Sequence, residues 1–206
     1  MIPATTTMTG GGMGNVWGTF SYDWRDSDFG GTDVDGDSAS FTAGVDYRVA
    51  PNFLLGFLLD GSQSDYDYSG GGSDIDSFRA AIYGTYGEAT GIYADFLLGY
   101  GNHDLDLDRN LSGILAGTSY NTSTDADSLQ ALITVGYAMQ SGDIKHGPFA
   151  GFEYQNLEVD SFSPSGVAGT IGGVSSFDVD SLRFLIGYRS ETTYGQFSPY
   201  ASITYA

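Results

Sequence analysis

The chain has no cysteine among its 206 residues. Disulfides therefore neither hold the fold nor reveal the compartment. Basic residues are scarce: seven Lys and Arg stand against 26 Asp and Glu, a formal charge of −19. That balance excludes a nucleic-acid partner, which requires basic surface. No apolar run approaches the ~18 residues of a membrane helix. A membrane is not thereby excluded, because a spanning strand takes only about 9–11 residues of alternating polarity. The opening Met1-Ile-Pro-Ala-Thr-Thr-Thr-Met8 has neither the basic nor the apolar region of a secretory signal. If the chain is exported, the absence of one predicts an excised domain or fragment.

Catalytic vocabulary is equally thin. There are two histidines, His103 and His146. His103 beside Asp104 could serve as an Asp-His general base, but a histidine next to acidic sequence is more simply surface. Gly70-Gly71-Gly72 is not followed by a helix and a lysine, so it is no phosphate loop. No Gly-x-Ser-x-Gly elbow occurs. No enzyme activity and no cofactor are expected.

What is present is alternation. Ile92, Ala94, Phe96, Leu98 and Tyr100 interleave with Tyr93, Asp95, Leu97, Gly99 and Gly101. The same pattern runs through 128–139 and 181–189, and in Phe20-Tyr22-Trp24, Phe41-Ala43-Val45-Tyr47 and Phe53-Leu55-Phe57-Leu59. Successive strand side chains point to opposite faces, so each segment has one greasy, charge-free face and one polar, Gly-rich face. The 41% hydrophobic content, 15 Tyr, 13 Phe and 31 Gly fit one domain with lipid outside, water inside and aromatics near the stripe ends.

Nine strands are predicted, at 15–25, 38–49, 52–66, 74–87, 91–107, 124–139, 146–157, 177–190 and 196–206. The connections between them alternate. Those at 50–51, 88–90, 140–145 and 191–195 are short, while those at 26–37, 67–73, 108–123 and 158–176 are mostly longer. Outer-membrane barrels have short periplasmic turns and long extracellular loops. The first strand should therefore run outward, from a periplasmic N-terminal end.

The polar faces carry Asp23, Arg25, Asp46, Arg48, Arg79, Asp95, Glu153, Arg183 and Arg189. These nine are the expected pore-lining residues, five of them basic. Pairing across a polar lumen is the simplest role for them. Asp-x-Asp repeats (Asp33/Asp35/Asp37, Asp65/Asp67, Asp74/Asp76, Asp104/Asp106/Asp108, Asp125/Asp127, Asp178/Asp180) concentrate in the loops and strand tips, with each set on one face. Loop-bound divalent cations such as Ca²⁺ would suit those oxygens. Asp33-Val-Asp-Gly-Asp lacks the Gly and Glu of an EF-hand, however, so a solvated acidic rim is the preferred reading and no metal site is assigned.

In order along the chain, several stretches resemble the autotransporter β-domain, the C-terminal translocator of type V secretion. They are Asn15-Val-Trp-Gly-Thr-Phe20, Gly44-Val-Asp46, Phe53-Leu-Leu-Gly-Phe57, Tyr93-Ala-Asp-Phe-Leu-Leu-Gly-Tyr-Gly101 and Asp108-Arg-Asn110. Further on come Pro148-Phe-Ala-Gly-Phe-Glu-Tyr154, Ser181-Leu-Arg-Phe-Leu-Ile-Gly-Tyr-Arg-Ser190 and Ser198-Pro-Tyr-Ala-Ser-Ile-Thr-Tyr205. The resemblance implies an antiparallel up-and-down barrel of twelve strands at 15–206, with nine present and the last strands missing. Residues 1–14 would be a linker or the end of a pore helix. It also implies an N-terminal passenger exported through the lumen, and as partners outer-membrane lipid of a Gram-negative bacterium and the barrel-assembly machinery.

Two other readings stay open on sequence alone. One is a stand-alone outer-membrane barrel acting as porin, adhesin or surface enzyme, which an even strand count would favour. The other is a soluble ligand-binding barrel with its greasy faces turned inward, which detergent independence would reveal.

Overall fold

In the computed structural model, residues 14–29, 32–88, 90–110, 119–163, 173–192 and 200–205 are described. Nine strands follow one another: β1 (Gly14–Phe29), β2 (Thr32–Ala50), β3 (Phe53–Tyr68), β4 (Gly71–Gly87), β5 (Gly91–Asn110), β6 (Ser119–Ser141), β7 (Ile144–Val159), β8 (Phe177–Thr192) and β9 (Tyr200–Tyr205). Each pairs antiparallel with its neighbours in sequence, in the order β1 to β9. The result is a half-barrel of nine meandering strands. The expected linker, apart from Gly14, lies outside the described residues.

Strand count and sheet order are as the alternation predicts, but strand length is not. The stretches 26–37 and 67–73, read as connections, are mostly strand. β1 pairs with β2 up to Phe29↔Thr32, and β3 with β4 up to Tyr68↔Gly71. Likewise β5 runs to Asn110 and β6 begins at Ser119. Asp, Ser and Gly have poor strand propensity, which is why these stretches read as loops. Yet Asp alternates there with Tyr, Ile or Leu at a period of two, as in Asp65-Tyr-Asp-Tyr68 and Asp104-Leu-Asp-Leu-Asp108. Pairing with long neighbours overrides propensity.

The register places the predicted apolar stripes on one face. Leu55, Phe57 and Leu59 of β3 align with Tyr47, Val45 and Ala43 of β2, and with Gly84, Ile82 and Ala80 of β4. Phe57, Ile82, Leu98, Ile133, Phe152 and Phe184 are all exposed, between 44% and 53%. Tyr47, Phe53, Tyr86, Tyr137 and Tyr188 lie along the edge nearest the turns at 51–52, 88–90 and 142–143. Trp24, Phe41, Phe78, Tyr100 and Tyr154 lie along the other edge. No charged residue stands on this face between the two aromatic rows. From Phe53 to Gly61 the band spans about 27 Å of strand, and on β6 it spans about 34 Å. At a tilt of ~40° these are roughly 21 and 26 Å, the height of a lipid-facing band.

The other face is concave. Flat strands three apart stand about 14 Å from one another. Here Trp17 of β1 reaches Tyr83 of β4 at 2.6 Å, and Arg189 of β8 reaches Asp95 of β5 at 2.9 Å. Only a sheet curled toward that face brings such side chains together. At its floor Leu54, Leu58, Ala81, Tyr83 and Leu97 are buried, with Trp17 and Leu132 packed against them. The glycines make this possible. A Cβ on Gly56 would fall inside the Tyr83 ring, and one on Gly136 inside the Tyr93 ring. The sequence predicts a face of Gly, Ser, Thr and scattered charge. Its apolar floor is the difference, because β3 is greasy on both faces and alternation cannot flag it.

A cation on the convex band should be far more costly than one on the concave face. Ile82→Arg, mid-band, is expected to lose about 2–4 kcal/mol, whereas Ser62→Arg on the concave face should lose much less. Denaturant titration of both variants refolded into lipid vesicles measures the difference; equal losses would invert the faces.

Candidate functional site

All seven basic residues (Arg25, Arg48, Arg79, Arg109, Lys145, Arg183 and Arg189) share the concave face by strand register. The sequence placed five of them there. Lys145 and Arg109 sit near the strand ends, where the alternation was not followed.

Two networks line this face. The first runs from β2 to β8 at mid-height, with residues from six of those seven strands. Thr42 donates to Asp60 at 2.6 Å, and Arg79 pairs with the same carboxylate at 3.4 Å. Arg79 also donates to Gln130 at 2.9 Å, and Gln130 passes a hydrogen bond to Glu153 at 3.0 Å. Arg183 closes the series on Glu153 at 2.7 Å. Charge alternates in sign along it, so no position carries a large net field.

The second network lies nearer the short turns. Asp95, 7% exposed at its side chain, pairs with Arg189 and accepts hydrogen bonds from Thr85 and Thr134. The Arg189 guanidinium lies 3.9 Å over the Tyr93 ring, a cation–π contact worth roughly 0.5–2 kcal/mol. Beside it Asn15 and the Tyr83 hydroxyl both donate to buried Asp46, and Trp17 Nε1 donates to Tyr83. Buried polar groups persist when hydrogen-bonded: Asp95 has both an ion pair and hydrogen bonds, and Asp46 is held by hydrogen bonds alone. Lys145 and Glu191 add a pair at 3.5 Å beside the β6–β7 turn.

The nine residues singled out from sequence therefore share one face. The structure brings six of them into contacts: Asp46, Arg79, Asp95, Glu153, Arg183 and Arg189. Asp23, Arg25 and Arg48 form no ion pair among the described residues. Asp60, Gln130, Thr85, Thr134 and Tyr83 were missed. Asp60 continues the stripe Leu54-Gly56-Leu58, so its face was legible, but the register that sets it opposite Arg79 on the next strand was not. His103 sits between Ser77 at 2.7 Å and Ser128 at 2.8 Å on the concave face. Asp104 points the other way, so the suspected Asp-His pair does not form.

Past the band, toward the connections β1–β2, β3–β4, β5–β6 and β7–β8, the sheet continues and its polarity inverts. The convex face becomes acidic. Cross-strand neighbours there include Asp35 and Asp67, Asp37 and Asp65, Asp65 and Asp74, Asp74 and Asp106, Asp76 and Asp104, Asp104 and Asp125, and Glu158 and Asp178. The concave face becomes apolar, with Tyr66, Ile75, Leu105, Leu107, Ala126 and Leu157. Among the described residues no three His, Cys, Asp or Glu side chains converge to hold a metal ion.

A curved antiparallel sheet, greasy on its convex band and ion-paired within, is the wall of an outer-membrane-type β-barrel. The model of the autotransporter β-domain family matches residues 15–206, and the chain belongs to that family. It is an outer-membrane translocator domain. Among solved structures, the translocator domain of the autotransporter NalP from Neisseria meningitidis is similar at a TM-score of 0.80 and 18% identity, over 94% of this chain and 67% of that one. The β-domain of the Bordetella autotransporter BrkA is similar at 0.59 and 17%, over 94% and 92%. Lipase 1 of Photorhabdus luminescens is 25% identical over 177 residues, 82% of this chain. The chain spans about a quarter of that lipase's length, 26%.

Removing Arg189 leaves Asp95 without its cation. Arg189→Ala should destabilise by about 1–2 kcal/mol, below the ~3–5 kcal/mol of a fully buried pair, because the Arg189 side chain is 41% exposed and screened. Adding Asp95→Asn should recover part of the loss in a double-mutant cycle of denaturant unfolding.

The acidic rim carries a pH signature. The carboxylate of Asp74 opposite, then desolvation, then Asp67 and Asp37 hold the Asp65 pKa above its ordinary value of 3.8. The folded rim thus disfavours ionised Asp65. That penalty is full above the folded pKa, fades as pH falls through it and is gone below 3.8. Hydrogen exchange at the β3–β4 tip, corrected for intrinsic rate, should slow over this window. Asp65→Asn should slow it at neutral pH and flatten the response.

Proposed function

We propose that this wall exports a passenger joined on its N-terminal side, with the acidic rim outside the cell and the short turns in the periplasm. The observation that carries the reading is the pairing of an uncharged, aromatic-edged convex band with a concave face on which all the basic side chains are collected. A soluble barrel would need those faces exchanged. The nine residues Asp23, Arg25, Asp46, Arg48, Arg79, Asp95, Glu153, Arg183 and Arg189 line the lumen in this reading. Outer-membrane lipid contacts the band, and the barrel-assembly machinery inserts it.

The orientation rests on the sheet itself. On one side of the band the strands end in the turns at 51–52, 88–90 and 142–143. On the other they run on well past the band, and short turns are the periplasmic habit. β1 and β9 both run toward the acidic rim. Pairing them directly would make one parallel step in an antiparallel wall. An odd number of further strands between them closes it, three if the barrel has twelve. Exposed strand edges in hydrocarbon cost several kcal/mol per unpaired group.

The wall does no chemistry of its own in this reading. The lipase named above belongs to another protein, and the similarity covers a stretch the size of this barrel. We take it as the same kind of wall carrying a hydrolase.

Cysteine at Ser69, in the β3–β4 turn, should react with an impermeant maleimide on intact cells, and cysteine at Asp143, in the β6–β7 turn, should not. The reverse pattern would overturn the orientation. A passenger that reaches the surface normally when Ile82→Arg has abolished barrel insertion would overturn export through this wall.

A further inference from the structure

We propose that His146, held in place by Tyr188, binds the phosphate of a phospholipid headgroup at the short-turn edge of the wall. The inference rests on the reading of the convex band as lipid-facing. Among the described residues His146 is the single side chain on the convex face that can carry positive charge. Every Lys and Arg, and His103 with them, stands on the concave face. Register sets the depth of His146. It lies between Met139 of β6 and Ser190 of β8, one step closer to the turn than the pair Pro148↔Tyr188 in the aromatic row. Two residues span about 7 Å of strand, which carries the imidazole from the edge of the hydrocarbon into the headgroup layer.

The ring is fixed on one side and open on the other. The Tyr188 hydroxyl is hydrogen-bonded to His146 Nδ1, and the two rings lie 5.9 Å apart at 30°. Nε2 has no partner among the described residues. A protonated imidazole donates from both nitrogens, Nδ1 to the Tyr188 oxygen and Nε2 outward to an anion. Charge decides which edge an anion can approach. At the opposite edge the convex face is a belt of Asp, which repels phosphate. At this edge the convex strand positions carry Tyr, aliphatic and hydroxyl side chains and no carboxylate, and the acids Glu88 and Asp143 sit in the turns. A free phosphate ion would find one cation here and no cage. A headgroup phosphate is already tethered at this depth by acyl chains lying on the band. Its effective concentration is high, so one charged donor suffices to hold it.

The test uses the full-length protein with isotope-labelled histidine and isoleucine, in vesicles of phosphatidylglycerol and in vesicles of digalactosyldiacylglycerol, a lipid without phosphorus. In phosphatidylglycerol, solid-state NMR should show lipid phosphorus dephasing the His146 ring nitrogens and leaving those of His103 unaffected; His146→Gln identifies the signal. Tyr188→Phe should cut the dephasing about threefold or more, because an ordinary hydrogen bond no longer holds the ring. Inorganic phosphate added to the digalactosyldiacylglycerol vesicles should leave His146 without phosphorus contact. Contact there would make a free anion the occupant and overturn the lipid. Dephasing unchanged by Tyr188→Phe, or equal at both histidines, overturns the site. Acyl-chain contact at Ile82 without phosphorus at His146 overturns this inference alone, whereas absence of acyl-chain contact at Ile82 overturns the lipid-facing band itself.

Discussion

A single sheet has two faces and no second layer to hide either. Every feature of this chain follows from giving each face its own medium. Where the convex face meets hydrocarbon it carries Phe, Leu, Ile, Val and Tyr and no charge, because a cation there costs about 2–4 kcal/mol. All ladder bonds must also be made within the sheet, since lipid offers no partner. Polar residues are thereby driven to the concave face. Curvature then becomes the second requirement, because only a curled sheet lets carboxylate and guanidinium on strands three apart reach one another. The Arg189–Asp95 pair and the Trp17–Tyr83–Asp46 series record that curl.

The same rule explains the inversion beyond the band. Past the second aromatic row the convex face meets water and headgroups, and the sequence switches from Phe-x-Leu to Asp-x-Asp without losing its period. Tyr66, Ile75, Leu105 and Leu107 move to the inner face for the same reason: the outer one no longer rewards them. The price is a belt of like-charged cross-strand neighbours, a destabilising arrangement in antiparallel sheets. Long neighbouring strands offset it by continuing the backbone ladder. The like charges of the rim, felt at Asp65, oppose its pairing.

The architecture was legible because period-two alternation is local. Nine strands, their order and the side of every stripe follow from residues two apart, and Ile92 to Tyr100 alone identifies a face. Strand ends were less legible. Asp65-Tyr-Asp-Tyr68 carries loop composition and strand periodicity together, and at 26–37 and 67–73 the periodicity prevails. The site was half legible. That Arg79, Glu153 and Arg183 share a face is a matter of parity. That Arg79 meets Gln130, and Gln130 meets Glu153, depends on register across three hairpins, which no single strand encodes. The apolar floor around Leu54 and Tyr83 was hidden for another reason: Phe53 to Leu59 is hydrophobic at every position but Gly56, so parity has no contrast to read.

Charge placement separates the two functions of the wall. Most of the 26 acidic residues lie on the convex rim, while the concave face pairs four acids with bases: Asp60 with Arg79, Glu153 with Arg183, Asp95 with Arg189, Glu191 with Lys145. A channel lined by one sign would hold a passing chain of the opposite sign, since fields are strong where water is confined. Alternating pairs cancel that field within a few ångströms. Along these pairs a passing chain meets no deep electrostatic trap. The acidic exterior meanwhile sets the charge of the protein without touching the path. Indifference to sequence inside and strong charge outside are both met by one alternating strand pattern, read on opposite faces.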